Sequence, residues 1–203
     1  MSKAPRSRTP KTQAERSEAT VGAIERAARK LFATRGFEAT SIDEIAARAG
    51  VAKGAVYHHF DSKQELFARV LDRIQGELAA LPAPTGRRGA GPLDLVAEAV
   101  LAYLIAASEP DVRRILLVEG PAVVGWARWR EIDAKYFGAA TRAGIAAVLG
   151  AEVSERHVDA LAHLVLGAVM EGALLCATGP DPKQTAREVT AALRRLLSGL
   201  VEQ

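Results

Sequence analysis

The chain has 203 residues, a formal net charge of +3, 49% hydrophobic and 25% charged residues, the balance of a globular protein with room for one large or two small domains. Its one cysteine, Cys176, excludes an intrachain disulfide and a cysteine-rich zinc site and fits a reducing, cytoplasmic setting. The basic N-terminus lacks the apolar segment of a secretory signal, and the longest apolar runs are broken by His, Glu or Gly before the ~18 residues a membrane span needs, so a cytoplasmic protein with no membrane partner is expected.

Residues 1–17 combine Ser, Thr and Pro with Lys3, Arg6, Arg8, Lys11 and Arg16 and have almost nothing apolar to bury. They read as a disordered basic tail, either simply solvated or an arm that follows DNA. From Ser17 to Thr34, Val21, Ile24, Ala28, Leu31 and Phe32 keep helical spacing, and Arg35-Gly36 closes the helix.

Residues 40–60 hold two short helices around a turn. Ser41 and Glu44 form a capping box, after which Ile42, Ile45, Ala46 and Ala49 share a face. Gly50 supplies the turn because a residue without Cβ takes positive φ at little cost. A second helix from Lys53 to His59 turns Val56 and Phe60 back toward the first and leaves Lys53, Ala55, Tyr57 and His58 outward. This is the form of a helix-turn-helix. Charge agrees with it: residues 1–80 hold 14 Lys and Arg against 10 Asp and Glu, the remainder 13 against 14, so the basic excess lies on the side that would meet phosphate.

A second box, Ser62 to Glu65, opens a long helix with the stripe Leu66, Phe67, Val70, Leu71, Ile74 and Leu78. Residues 82–92 are a Pro- and Gly-rich loop. Beyond it the spacing predicts five helices: 93–107, 111–118 ended by Gly120-Pro121, 122–149, 155–177 capped by Ser154, and 182–201 with Asp181 as N-cap and Pro182 in the first turn. No strand alternation and no internal repeat occurs. The predicted fold is all-α, with a disordered tail (1–17), a helix-turn-helix DNA-binding domain (18–64) and a helical ligand-binding and dimerisation domain (65–203).

The helix at 155–177 is apolar almost all round, so it needs burial on more than one side. A two-fold homodimer through 155–177 and 182–200, with Val189, Leu193, Leu196, Leu197 and Leu200 completing the seam, answers that need; a central helix of a monomeric bundle is the alternative. Tyr103, Trp126, Trp129, His163 and Glu171, polar or aromatic among apolar positions, are candidate ligand-binding residues, as against core or interface. His163 and Glu171 are the more informative pair because burying them without partners costs free energy. His157 and His163, six apart, do not form a metal motif, and no metal or other cofactor is expected.

From Gly36-Phe37-Glu38-Ala39-Thr40-Ser41-Ile42 through Tyr57-His58-His59-Phe60-Asp61-Ser62-Lys63, the chain closely resembles the DNA-binding domain of the TetR family of bacterial regulators, continuously over about residues 18–66. The resemblance implies a homodimer on a palindromic double-stranded DNA operator, usually a repressor released by a small-molecule effector, and no enzyme. It also implies phosphate contacts at Thr40 and Lys63. DNA contacts are expected at Ser41, Lys53 (phosphate or guanine), Gly54 (close approach), Ala55 (a thymine methyl), Tyr57 and His58, with His59 on phosphate. One departure matters: Ala52 stands where the family commonly has Ser or Thr, so the recognition helix loses a side-chain cap, on the order of 0.5–2 kcal/mol. The chain contains no Asn, so the Asn–adenine pair is closed to it and DNA shape takes a larger share of specificity. An enzyme and a sequence-independent DNA binder are the competing classes; no phosphate-cradling Gly loop, His-Glu metal motif or triad supports the first, and only the basic tail supports the second.

Overall fold

Ten α-helices and one π-helical segment make up the computed structural model, which describes residues 12–200, with no strand among them. Helix α1 (Gln13–Arg35) begins before the expected Ser17. The reason is local: the Thr12 hydroxyl accepts from the Glu15 amide (3.2 Å) and the Glu15 carboxylate accepts from the Thr12 amide (2.7 Å), a capping box inside the stretch read as tail. Residues 1–11 of that predicted tail lie outside the described residues.

Helix α2 (Ile42–Ala49) packs across α1 and α3 (Lys53–His59) packs on α2, with Gly50 making the turn between them at φ 70°. Ile24, Phe32, Ile45, Val56 and Phe67 close this core; each large apolar side chain so buried contributes roughly 1.5–3 kcal/mol. Helix α4 (Lys63–Ala79) leaves the unit with Leu66, Phe67 and Val70 in that core and Leu71, Ile74 and Leu78 further on, so one continuous buried cluster runs along it. Its capping box is only half made. Ser62 accepts from the Glu65 amide, but the Glu65 carboxylate turns to Arg128.

Helix α5 (Pro92–Ala107) lies against α10 and α8. The expected helix 111–118 is resolved into α6 (Pro110–Arg113), a π-helical segment Arg114–Glu119 and α7 (Gly120–Val124). Gly120-Pro121 does not stop the helical path. After the π segment, α7 takes Pro121 in its first turn, where an N–H has no intrahelical partner to lose. Gly120 is needed there because an added Cβ would come within 2.8–3.0 Å of Leu71, the Ile115 carbonyl and Trp129. The break falls at Gly125 (φ 83°), so the next helix is α8 (Trp126–Leu149) rather than 122–149.

Helices α9 (Glu155–Thr178) and α10 (Pro182–Ser198) finish the described chain. Asp181 caps α10 as expected, whereas Ser154 sits at the N-cap of α9 without a side-chain capping bond. Contrary to the sequence expectation, α9 is long and apolar enough to cross a membrane on length and composition, since His163 and Glu171 do not interrupt it sufficiently. Here it packs against α5, α8 and α10 through Val158, Ala162, Val165, Met170 and Ala173.

Candidate nucleic-acid interface and effector cavity

The outward face of α3 carries the exposed Lys53, Gly54, Tyr57 and His58, with Ala55 and His59 half-buried. Tyr57 is 49% exposed although aromatic, while Val56, one residue before it, is fully buried and anchors the helix. A large side chain held in solvent by a rigid scaffold can lie along a groove. The His58 and His59 rings meet edge to face at 5.0 Å. The Lys53 ammonium pairs with Asp43 of α2 at 2.9 Å, both well exposed, so a phosphate or base edge would have to take it from that carboxylate.

Thr40 and Lys63 come together in a different role from the one expected. Thr40 is 1% exposed; its hydroxyl donates to the Gly36 carbonyl (2.7 Å) and its amide to Phe37 (3.3 Å), leaving no donor for phosphate. Lys63 donates to the carbonyls of Phe37 and Thr40. Both therefore hold the loop that starts α2. Ser41 is exposed, but its hydroxyl accepts from the Glu44 amide and donates to the Glu44 carboxylate. The Ser41 amide, which also donates to that carboxylate (2.9 Å), the Arg35 guanidinium and the Ser41 hydroxyl hold the Glu44 pKa down at about 2. Ala52 makes no capping bond.

The DNA-side unit is tied to the other half by polar contacts that no periodicity signals. The Phe37 amide donates to Glu119 (2.8 Å), Arg114 donates to the Thr34 carbonyl (3.1 Å), and the Arg128 fork holds Glu65 at 2.5 and 2.8 Å, keeping its carboxyl below the usual range. Lys135 and Tyr136 of α8 both donate to Asp72 of α4. Gly36, at φ 87°, has no room for a side chain, since a Cβ would meet Glu119 and Arg114.

A cavity of about 330 Å³ opens between α4, α5, α8 and α9. Of the five expected ligand residues only Tyr103 lines it, with its hydroxyl buried and unpartnered. Trp129 is 1% exposed and donates its indole N–H to the Leu116 carbonyl (3.0 Å), which makes it core; Trp126 stacks on it at 5.2 Å and is 62% exposed. His163 and Glu171 are exposed, so the premise that they are buried fails. They share the bare face of α9 with Leu164 and Leu175, because α9 turns its other sides to α5, α8 and α10. Of the proposed seam residues on α10, Leu193 and Leu197 face inward, Val189 packs on Gly172, and Leu196 and Leu200 stay exposed.

Sequence reasoning missed the cavity's charged residue, Asp133, and Gln75 beside it. Both are buried, with the Gln75 amide nitrogen 3.3 Å from the carboxylate. A signal existed: Gln75 falls on the apolar stripe of α4 between Leu71 and Leu78, and Asp133 follows Ile132 on a helix face with Trp129 and Tyr136.

Residues 24–70 match the family described as bacterial regulatory proteins, tetR family, and residues 94–200 match the Tetracyclin repressor-like C-terminal domain. A crystal structure of a TetR-family transcriptional regulator from Pectobacterium atrosepticum is 30% identical, with 95% of this chain and 99% of that one covered at a TM-score of 0.68. The Transposon Tn10 TetC protein of Escherichia coli is 31% identical over 61% of this chain, and the HTH-type transcriptional regulator AcrR of Shigella flexneri 33% identical over 44%. Those matches span 62% and 42% of the two relatives' lengths. With one family signature on the helix-turn-helix and another on the helices behind it, the chain belongs to the TetR family of bacterial transcriptional regulators.

Proposed function

We propose that the protein is a cytoplasmic transcriptional repressor that binds a palindromic operator as a homodimer and leaves it when a small molecule fills the cavity. The observation that carries the DNA-binding part is α3: Tyr57, His58 and Lys53 project from a helix fixed on its other side by Val56. Gly54, Ala55 and His59 complete the proposed contact set, and Thr40, Ser41 and Lys63 position it. In this reading residues 18–64 read DNA and residues 65–203 bind effector and partner, with α4 belonging to both. The exposed face of α9 and α10, with Leu164, Leu175, Leu196 and Leu200, supports the dimer: two such faces hide apolar surface that one chain leaves in water. The same pairing would cover the side of α9 that makes it resemble a membrane span, so no membrane is required.

DNase footprinting upstream of neighbouring genes tests the proposal. A protected palindrome with half-sites about one helical turn apart, or a multiple of it, is expected. Uniform protection along any DNA would favour a sequence-independent binder and sink the operator reading.

A further inference from the structure

The cavity's walls are almost entirely hydrocarbon and aromatic, including Val96, Val100, Phe137, Ile145, Val165 and Met170. Among the described residues no Lys or Arg lines it, and Asp133 is its one charged wall residue. That carboxylate is 2% exposed and has only two neighbours at the long end of hydrogen-bonding range, the Gln75 amide nitrogen at 3.3 Å and the Arg130 guanidinium at 3.5 Å. Nearby, the Gln75 carbonyl oxygen and the Tyr103 hydroxyl are buried with no partner among the described residues. Buried polar atoms are ordinarily satisfied, and a desolvated carboxylate is costly without a close counter-charge. Burial accordingly pushes the Asp133 carboxyl pKa up. The unmet acceptors at Asp133 and Gln75 call for a hydrogen-bond donor, preferably a positive one, and among the described residues no Lys or Arg lines the cavity to receive an anion.

We propose that the effector is a lipophilic amine, its ammonium head seated against Asp133 and the Tyr103 hydroxyl and its hydrocarbon body against the apolar walls. The proposal rests on the reading of this cavity as the effector site. The faces of Tyr103 and Phe137, whose rings meet edge to face at 5.1 Å, add to the attraction for a cation. The volume lies at the lower end of the roughly 300–1,000 Å³ of small-molecule sites, which fits a one- or two-ring compound.

The test uses the full chain and three probes with one aromatic body: naphthylmethylamine, naphthylmethanol and naphthoic acid, titrated by calorimetry. The amine is expected to bind roughly tenfold tighter than the alcohol or better, as a charge-assisted hydrogen bond adds, and the acid weakest. Asp133→Asn should erase the amine's advantage over the alcohol, and the cavity-filling Val100→Phe should weaken all three. An acid that binds as well as the amine, or an amine advantage that survives Asp133→Asn, overturns the proposal. Equal binding of all three, abolished by Val100→Phe, keeps the effector site and rejects the amine. No binding by any probe, or binding indifferent to Val100→Phe, rejects both. If Asp133→Asn does not fold, the order of the three probes on the parent chain decides alone.

Discussion

The Lys63 ammonium donates to the carbonyls of Phe37 (2.8 Å) and Thr40 (3.1 Å) and lies 4.1 Å from the centre of the Phe37 ring. One side chain from the first turn of α4 thereby fixes the loop that launches α2. Lys63→Met keeps the stem and removes the charge, and should lower unfolding stability by roughly 1–2 kcal/mol because two part-buried carbonyls lose a charged donor. Urea denaturation measures this. An unchanged midpoint together with lost DNA binding would return Lys63 to the role of a phosphate contact.

Tyr57 is half exposed on α3 and lies outside the buried core. Tyr57→Ala should weaken operator binding roughly tenfold or more, about 1.4 kcal/mol or above, with melting temperature and dimer unchanged. Gel-shift titration beside a thermal scan separates the two effects. Undiminished binding would mean that α3 is not the recognition helix.

Ala52 holds the N-cap backbone geometry of α3 (φ −71°, ψ 148°) without a capping side chain. Ala52→Ser should supply the missing acceptor for the amides of the first turn and stabilise the protein by about 0.5–2 kcal/mol. A thermal melt of the variant at or below the parent's would show that those amides already have equivalent partners in water.

Leu196 and Leu164 are 70% and 66% exposed on the unpaired face of α10 and α9. If the proposed dimer forms through this face, Leu164→Glu with Leu196→Glu should leave a folded monomer by sedimentation and lower operator affinity, since each half-site then binds alone. Retention of the dimer would move the interface to another surface.

Glu44, with its pKa held at about 2 by Ser41 and Arg35 against an ordinary 4.5, is a depressed carboxylate. Its contribution to stability is therefore complete above pH 4.5 and is lost as pH falls toward 2. Compared with the parent, Glu44→Gln should lose less stability across that window. Parallel acid-denaturation curves would contradict the assignment.

The helix-turn-helix was legible because its determinants are local. Ser41 with Glu44, Gly50, and the spacing of Ile42, Ile45 and Val56 act within a few residues, and the structure uses each of them where the letters place it. The capping box at Thr12 was equally local and was hidden only by the basic, polar residues around it. The π segment at Arg114–Glu119 was not legible, since Gly120-Pro121 ordinarily ends a helix and only packing against Leu71 and Trp129 carries the path through.

Sequence alone determined that this is an all-helical DNA reader, since capping, turn chemistry and helical periodicity depend on neighbours in the chain. It could not decide which side of a helix apolar all round faces a neighbour. His163 and Glu171, costly if buried, lie exposed because α5, α8 and α10 cover the opposite sides of α9. Only tertiary structure brought Asp133 of α8 and Tyr103 of α5 to the wall of one cavity and set Gln75 of α4 against the Asp133 carboxylate. Their chemistry comes from desolvation and mutual distance, which exist only once three distant segments have packed together.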